Sequence, residues 1–163
     1  MLYTSLDEPS AFNQSIQLCH LTMKWITREK IKVDRVACPW LIRNFVDPEA
    51  EFVFLPHDTD WSKIDIGIVF DVPNCELGHH GEDVSFNSIL KKYNLTDPAL
   101  VLLGEIVRAA DSRPPDPHPA GEGLRWIAGG FGRLNLSDHG ILERELVVYD
   151  ALYAECEKRV AGQ

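Results

Sequence analysis

Apolar and polar positions follow two regimes along the chain. From Trp25 to Val72 the apolar residues come in short runs: Trp25-Ile26, Ile31-Lys32-Val33, Glu51-Phe52-Val53-Phe54 and Ile66-Gly67-Ile68-Val69-Phe70. Short β-branched and aromatic runs with turn residues between them read as strands, and residues 36–45 between the second and third runs have helical spacing. Asp47-Pro48, Leu55-Pro56 and Val72-Pro73 supply breaks, because proline donates no N–H and pushes its predecessor out of the α region. From Ser85 onward the apolar spacing changes to steps of three and four, which predicts helices over residues 85–93, 97–110, 122–134 and 137–160. Asp97-Pro98 and Ser137 are good N-terminal signals. In the last helix Leu142, Leu146, Tyr149, Tyr153, Cys156 and Val160 form one stripe, read as core. The pattern predicts an α+β (or α/β) fold: a small mixed sheet in the first half, packed against a four-helix second half.

The stretch Arg113 to Gly123 holds Pro114, Pro115, Pro117 and Pro119 and is a loop, since it is too donor-poor for regular structure. Residues 1–22 are rich in Ser, Gln, Asn and Asp with no sustained periodicity. They are expected to form a mobile N-terminal extension, with a short helix around Phe12 to Leu18 as the alternative, and the domain proper spans residues 23–163.

Composition narrows the function classes. With 163 residues, 45% hydrophobic and 25% charged, the chain has the balance of one globular domain. Its 25 acidic against 16 basic residues give a net charge of −9, which repels phosphate backbones and anionic membranes at long range. No nucleic-acid binding by the chain alone and no membrane association are expected, whereas a small ion or small-molecule ligand suits it. The sequence leaves homo-oligomer formation open. Arg28, Lys30, Lys32 and Arg35 are the densest basic stretch and read as a solvated edge. Cys19, Cys38, Cys75 and Cys156 include no C-x-x-C pair, so reduced thiols are expected; with no basic start and apolar run near Met1 and no apolar run of membrane length, a cytoplasmic location is expected.

Three segments carry candidate chemistry. In Asp34-Arg35-Val36-Ala37-Cys38-Pro39-Trp40, Cys38 as N-cap with Pro39 at the first helical position would set its sulfur at the positive helix end, lowering the thiol pKa. The alternative makes Asp34 the cap and Cys38 a small buried hydrophobe. Cys38, Asp34 and Arg35 are the candidate catalytic residues. In Glu76-Leu77-Gly78-His79-His80-Gly81-Glu82 a carboxylate and an imidazole could converge on a divalent ion, zinc, iron or manganese; an ordinary exposed loop is the alternative. In Ser137-Asp138-His139-Gly140, His139 lies one turn from Glu143 near the apolar stripe. His79, His139, Glu76 and Asp111 are the expected metal ligands, meeting in one cleft at element ends. Gly129-Gly130-Phe131-Gly132 lacks the spacing of a dinucleotide loop, so no nucleotide cofactor is expected.

The order of motifs carries more than any one of them. Val33-Asp34-Arg35-Val36-Ala37-Cys38-Pro39-Trp40-Leu41-Ile42-Arg43, Asp47-Pro48-Glu49-Ala50, Phe70-Asp71-Val72-Pro73, Glu76-Leu77-Gly78-His79, Ile106-Val107-Arg108-Ala109-Ala110-Asp111, Asp138-His139 and Val148-Tyr149-Asp150-Ala151-Leu152-Tyr153 follow one another. The chain resembles the C-terminal domain family of the chromate-resistance regulator ChrB. That resemblance implies a role in chromate response, with DNA handled by a separate N-terminal region absent here. The family pattern has a cysteine and an aspartate around Ser85-Phe86, where this chain has Val84 and Asn87. Two functional readings follow: a module that binds a divalent metal or an oxyanion as a sensor, or a metal- or thiol-dependent enzyme in chromate or redox detoxification.

Overall fold

Trp25, Ile26 and Thr27 are each 2% exposed or less, and a strand buried on both faces belongs in the middle of a covered sheet. That is where the computed structural model, which describes residues 22–162, places it. Strand β1 (Lys24–Arg28) lies between β2 (Glu51–Leu55) and β3 (Ile68–Val69). Trp25 stands opposite Phe52 on one side and Ile68 on the other. Both pairings are parallel. Parallel neighbours require a crossover rather than a hairpin, and helix α1 (Asp34–Phe45) makes it between β1 and β2.

The α+β class is as the pattern predicts, but two local expectations change. The three strands are all parallel rather than mixed, because the helix and then the long segment ahead of β3 each carry the chain back to the same end; an antiparallel bridge joins only His80 and Asp83. Ile31 and Val33 are buried but form no strand. Their apolar run plugs the core from the turn before α1, where Lys30 and Val33 have φ of 60° and 30°.

The second half consists of α2 (Ser85–Lys92), α3 (Pro98–Ser112), α4 (Ala120–Phe131) and α5 (Asp138–Ala161), each within a few residues of its predicted span. Asp97 caps α3 by accepting from Ala99 N at 2.8 Å, with Pro98 in the first turn, and Ser137 caps α5 by accepting from Gly140 N at 3.1 Å. Helix α3 is the hub. Leu100, Leu103, Val107 and Ala110 are buried on it, and α1, α2, α4 and α5 all pack against it. A Cβ at Gly121 would stand 2.5 Å from Ala109 Cβ, so only glycine lets α4 approach α3 this closely.

The α5 stripe is core as expected: Leu142, Tyr149 and Cys156 are buried, with Leu146, Tyr153 and Val160 packed at its edge. Trp40 Nε1 donates to Asp150 Oδ1 at 2.7 Å, tying α1 to α5. One continuous core runs from Trp25 and Phe70 through Phe86 and Leu103 to Tyr149. Among the described residues no helix is long and apolar enough to cross a membrane. The expected mobile arm or helix within residues 1–21 lies outside the described residues.

Candidate metal centre

The centre starts from the turn between β1 and α1. The Asp138 carboxylate accepts from Lys30 N at 3.1 Å and Ile31 N at 2.9 Å, and the buried Tyr149 hydroxyl donates to Val33 O at 2.9 Å. These bonds hold Val33 at φ 30°, a conformation that costs a β-branched residue strain and persists only where surroundings impose it. The result is Asp34 at the first position of α1, aimed inward and 1% exposed. Its Oδ2 accepts from Ser85 N at 2.7 Å, and its Oδ1 from Phe86 N at 3.0 Å and Cys38 Sγ at 3.3 Å. Val84 at the N-cap of α2 has no side chain able to accept, so Asp34 caps that helix from another element and its charge sits at the positive end of the α2 dipole.

Asp71 follows the short β3 at the carboxyl edge of the sheet, with φ 50°. Ser85 Oγ donates to its Oδ1 at 2.9 Å, and Arg35 Nε lies 3.5 Å from its Oδ2. Asp111 comes from the last turn of α3 and is partly exposed. His79 reaches in from the loop before α2, its side chain 45% exposed.

Three carboxylates approach the same imidazole nitrogen. His79 Nε2 lies 3.3 Å from Asp34 Oδ2, 3.4 Å from Asp71 Oδ1 and 3.5 Å from Asp111 Oδ2. A single N–H donates well to one oxygen at roughly 2.7–3.2 Å, and none of the three distances is that short. Ligands arranged tetrahedrally about 2.1 Å from one ion stand about 3.4 Å apart, which is the spacing from His79 Nε2 to each acid. Asp34, His79 and Asp111 each offer a ligand atom within 4.8 Å of both others. Asp71 lies outside that mutual set, although its Oδ1 is 3.4 Å from His79 Nε2.

The electrostatics match. Asp34 first and Asp71 second raise the His79 imidazole to about 10, against the opposing effect of burial. Burial, then Asp34 and Asp71, push the Asp111 carboxyl up to about 6. In the metal-free centre an imidazolium is thus the counter-ion of three crowded carboxylates. A divalent cation would take over that task and displace the proton.

The family model described as ChrB, C-terminal domain, matches residues 25–156. The chain belongs to the ChrB C-terminal domain family. Protein ChrB of Cupriavidus metallidurans is 33% identical over 131 residues, which make up 80% of this chain and 40% of that protein. The chain therefore spans about two fifths of the length of that relative. No solved structure matches. Asp34, Asp71, His79 and Asp111 all lie within the matched span, each in a different one of the segments that carry the ChrB resemblance.

This ChrB domain brings together part of the expected ligand set. His79 and Asp111 meet, joined by Asp34 from the catalytic candidates. Glu76 does not: its exposed carboxylate pairs with Lys92, and its carbonyl lies 2.8 Å from His80 Nε2. Nor does His139, which is exposed, with its ring edge-on to Phe54 at 4.9 Å and a separate cleft beside it lined by Arg43, Glu51 and Glu143. Helix α5 enters the fold beside β2, and its first turn faces the opposite edge strand from β3.

Cys38 is neither the N-cap nor in the first turn. Val33 is the cap, and Cys38 is the fifth residue of α1, fully buried, with Pro39 inside the helix. Burial first, and then Asp34, push its thiol well up, opposite to the lowering expected of an N-cap cysteine. Arg35 serves Asp71.

Asp71 and Ser85 are the site residues that spacing did not single out. The available signal for Asp71 was its position just after the last apolar run of the sheet, since ligands of parallel sheets gather at the carboxyl ends of strands.

Proposed function

We propose that this domain binds one divalent metal ion through Asp34, His79 and Asp111 and acts as a cytoplasmic ligand-sensing module of the chromate response. The observation that supports it most is the set of three carboxylate oxygens, each 3.3 to 3.5 Å from His79 Nε2. Hydrogen bonds that Asp34 accepts from the start of α2 and that Asp71 accepts from Ser85 Oγ hold the acids in place before any ion arrives, as supporting partners do at protein metal sites. Two carboxylates and an imidazole without thiolate suit zinc, iron or manganese. The family supplies the chromate context; a metal module of that kind needs no DNA contact of its own, in keeping with the net charge of −9.

Metal content after dialysis against each of these ions tests the reading. One ion per chain is expected for the wild type and none for D111N. Asp111 accepts no hydrogen bond from a described residue, so this variant removes a ligand without removing a cap. Absence of stoichiometric uptake of any of the three ions would refute the site.

A second reading, turnover, is favoured by one feature: a cleft of about 190 Å³ opens beside His79 and Asp71. An ion held by three side chains leaves room there for a water whose proton Asp71 could accept. The thiol-dependent form of this reading loses its support with the burial of Cys38.

A further inference from the structure

Helix α4 buries one side against α3 and presents an apolar side to solvent. Leu124 and Ala128 are buried, whereas Trp126 is 74% exposed, Ile127 42% and Leu134 59%. Steps of three and four place Gly123, Ile127, Gly130 and Leu134 along one side of the helix, with Trp126 beside them. The chain keeps a helical sense as far as Leu134, since Arg133 N and Leu134 N donate to the carbonyls of Gly130 and Phe131. Trp126 Nε1 donates to Glu122 Oε1 at 2.7 Å, which satisfies the polar edge of the indole and leaves the apolar rest of the ring at the surface.

Glycine weakens a helix relative to alanine, and at Gly121 the closeness of Ala109 accounts for it. Gly123 and Gly130 meet no such need: an added Cβ at either would have no described heavy atom within 4 Å. Together they form a shallow seat in which a second helix can approach closely. The charges around this face select the occupant. A net charge of −9 makes two copies repel at long range, but residues 120–134 hold one acid and two arginines. Glu122 lies five residues before Ile127 and Arg133 six after it, and helical phase sets both on the Trp126 flank. If two α4 helices pack antiparallel about Ile127, twofold symmetry brings Glu122 of each copy opposite Arg133 of the other, and Gly123 opposite Gly130. Parallel packing would instead set like charges together. Within one chain Glu122 has only Arg125 at 3.5 Å, and Arg133 folds back on Gly129 O without pairing with a described acid.

We propose that the protein forms a twofold-symmetric dimer through antiparallel α4 helices, centred on Ile127 with Trp126 as anchor. The inference is independent of the metal reading. A face of this length, about 22 Å of helix, gives an interface at the small end of specific complexes, below roughly 1,200 Å², and a Kd of roughly 10–100 μM.

Sedimentation of the full chain between about 5 and about 500 μM, bracketing that Kd, tests it. The average mass should rise from that of one chain toward that of two. E122R and R133E each set like charges opposite at both ends of the helix pair, so either alone should weaken association at least about tenfold. Mixed in equal amounts, the two variants regain opposite charges at both ends and should form a heterodimer about as tight as the wild-type dimer. Mixing cannot repair a misfolded chain, so this result separates pairing from a folding defect. G130A meets nothing within its own chain and should melt no lower than the wild type, yet should weaken association at least about threefold by crowding the second helix. A chain that stays monomeric throughout overturns the inference; if Trp126 emission is then shielded from iodide, residues 1–21 cover the face instead. A dimer indifferent to G130A and to either charge reversal, or two folded variants that do not pair on mixing, also overturns it.

Discussion

His79 lies in the loop before α2 and His139 in the first turn of α5, and the structure gives them opposite surroundings. Three carboxylates surround His79, and two of these, Asp34 and Asp71, are buried and already hydrogen-bonded. His139 rests on Phe54 at the surface, beside exposed charges. What separates the two is the state of the neighbouring acids. A carboxylate in water has no need of an added cation, whereas several carboxylates crowded inside a fold repel one another and raise the cost of staying ionised. A bound cation would therefore relieve repulsion around His79, and no such crowding of buried acids surrounds His139.

The largest effect that sharpens this contrast is on metal affinity. H79A removes one of three ligands and should weaken metal binding at least about a hundredfold, while H139A should leave it within about twofold, as measured by competition with a chromophoric chelator. Equal losses in the two variants would erase the distinction.

Stability should separate the regions next. Asp34 accepts two backbone N–H bonds at the start of α2 and one from Cys38. D34A should cost roughly 2 kcal/mol in urea unfolding of the metal-free protein, because buried donors are left without a partner. D34N, which can still accept, should recover part of that loss while still impairing the metal. If D34A is neutral, relief of crowding among the acids outweighs the cap.

Proton competition comes third. With the His79 pKa at about 10, the metal must displace one proton throughout the neutral range, so affinity should rise about tenfold per pH unit between about pH 7 and 9. Below about pH 6, where Asp111 also holds a proton, the dependence should steepen. The metal-free fold behaves in the opposite sense. The raised His79 pKa contributes stability that is complete below about 6.5 and is lost as pH rises through about 10. A metal affinity independent of pH would show that His79 is not a ligand. Smallest of all, H139A should change stability by no more than about 0.5 kcal/mol, as an exposed substitution does.

Much of the fold was legible because its signals are local. Proline breaks, the change from short runs to steps of three and four, and the caps at Asp97 and Ser137 each act within a few residues. Strand direction was not local: parallel pairing depends on where α1 and the segment before β3 return the chain. The Ile31-Lys32-Val33 run misled for a related reason, since burial is common to strands and to plugs of the core, and only tertiary bonds from Asp138 and Tyr149 decide between them.

The candidate site was legible in part. His79, Asp111 and Asp34 were each visible as polar residues at element ends, but their grouping was not. Asp34 reads as a cap for its own helix and instead caps α2, some fifty residues away. Glu145 shows the same limit from the other side. It is 0% exposed with both oxygens unpartnered among the described residues, and burial raises its carboxyl to about 7. Its steps of three from Leu142 and four to Tyr149 put it on the buried face of α5, where a glutamate is not expected from its residue type.

Anomalous diffraction from crystals of the metal-loaded chain, recorded above and below the absorption edge of the bound ion, tests the metal centre most directly. One peak about 2 Å from His79 Nε2 and from carboxylate oxygens of Asp34 and Asp111 is the predicted result. A peak at His139, or none near His79 in crystals shown to contain the metal, would contradict it.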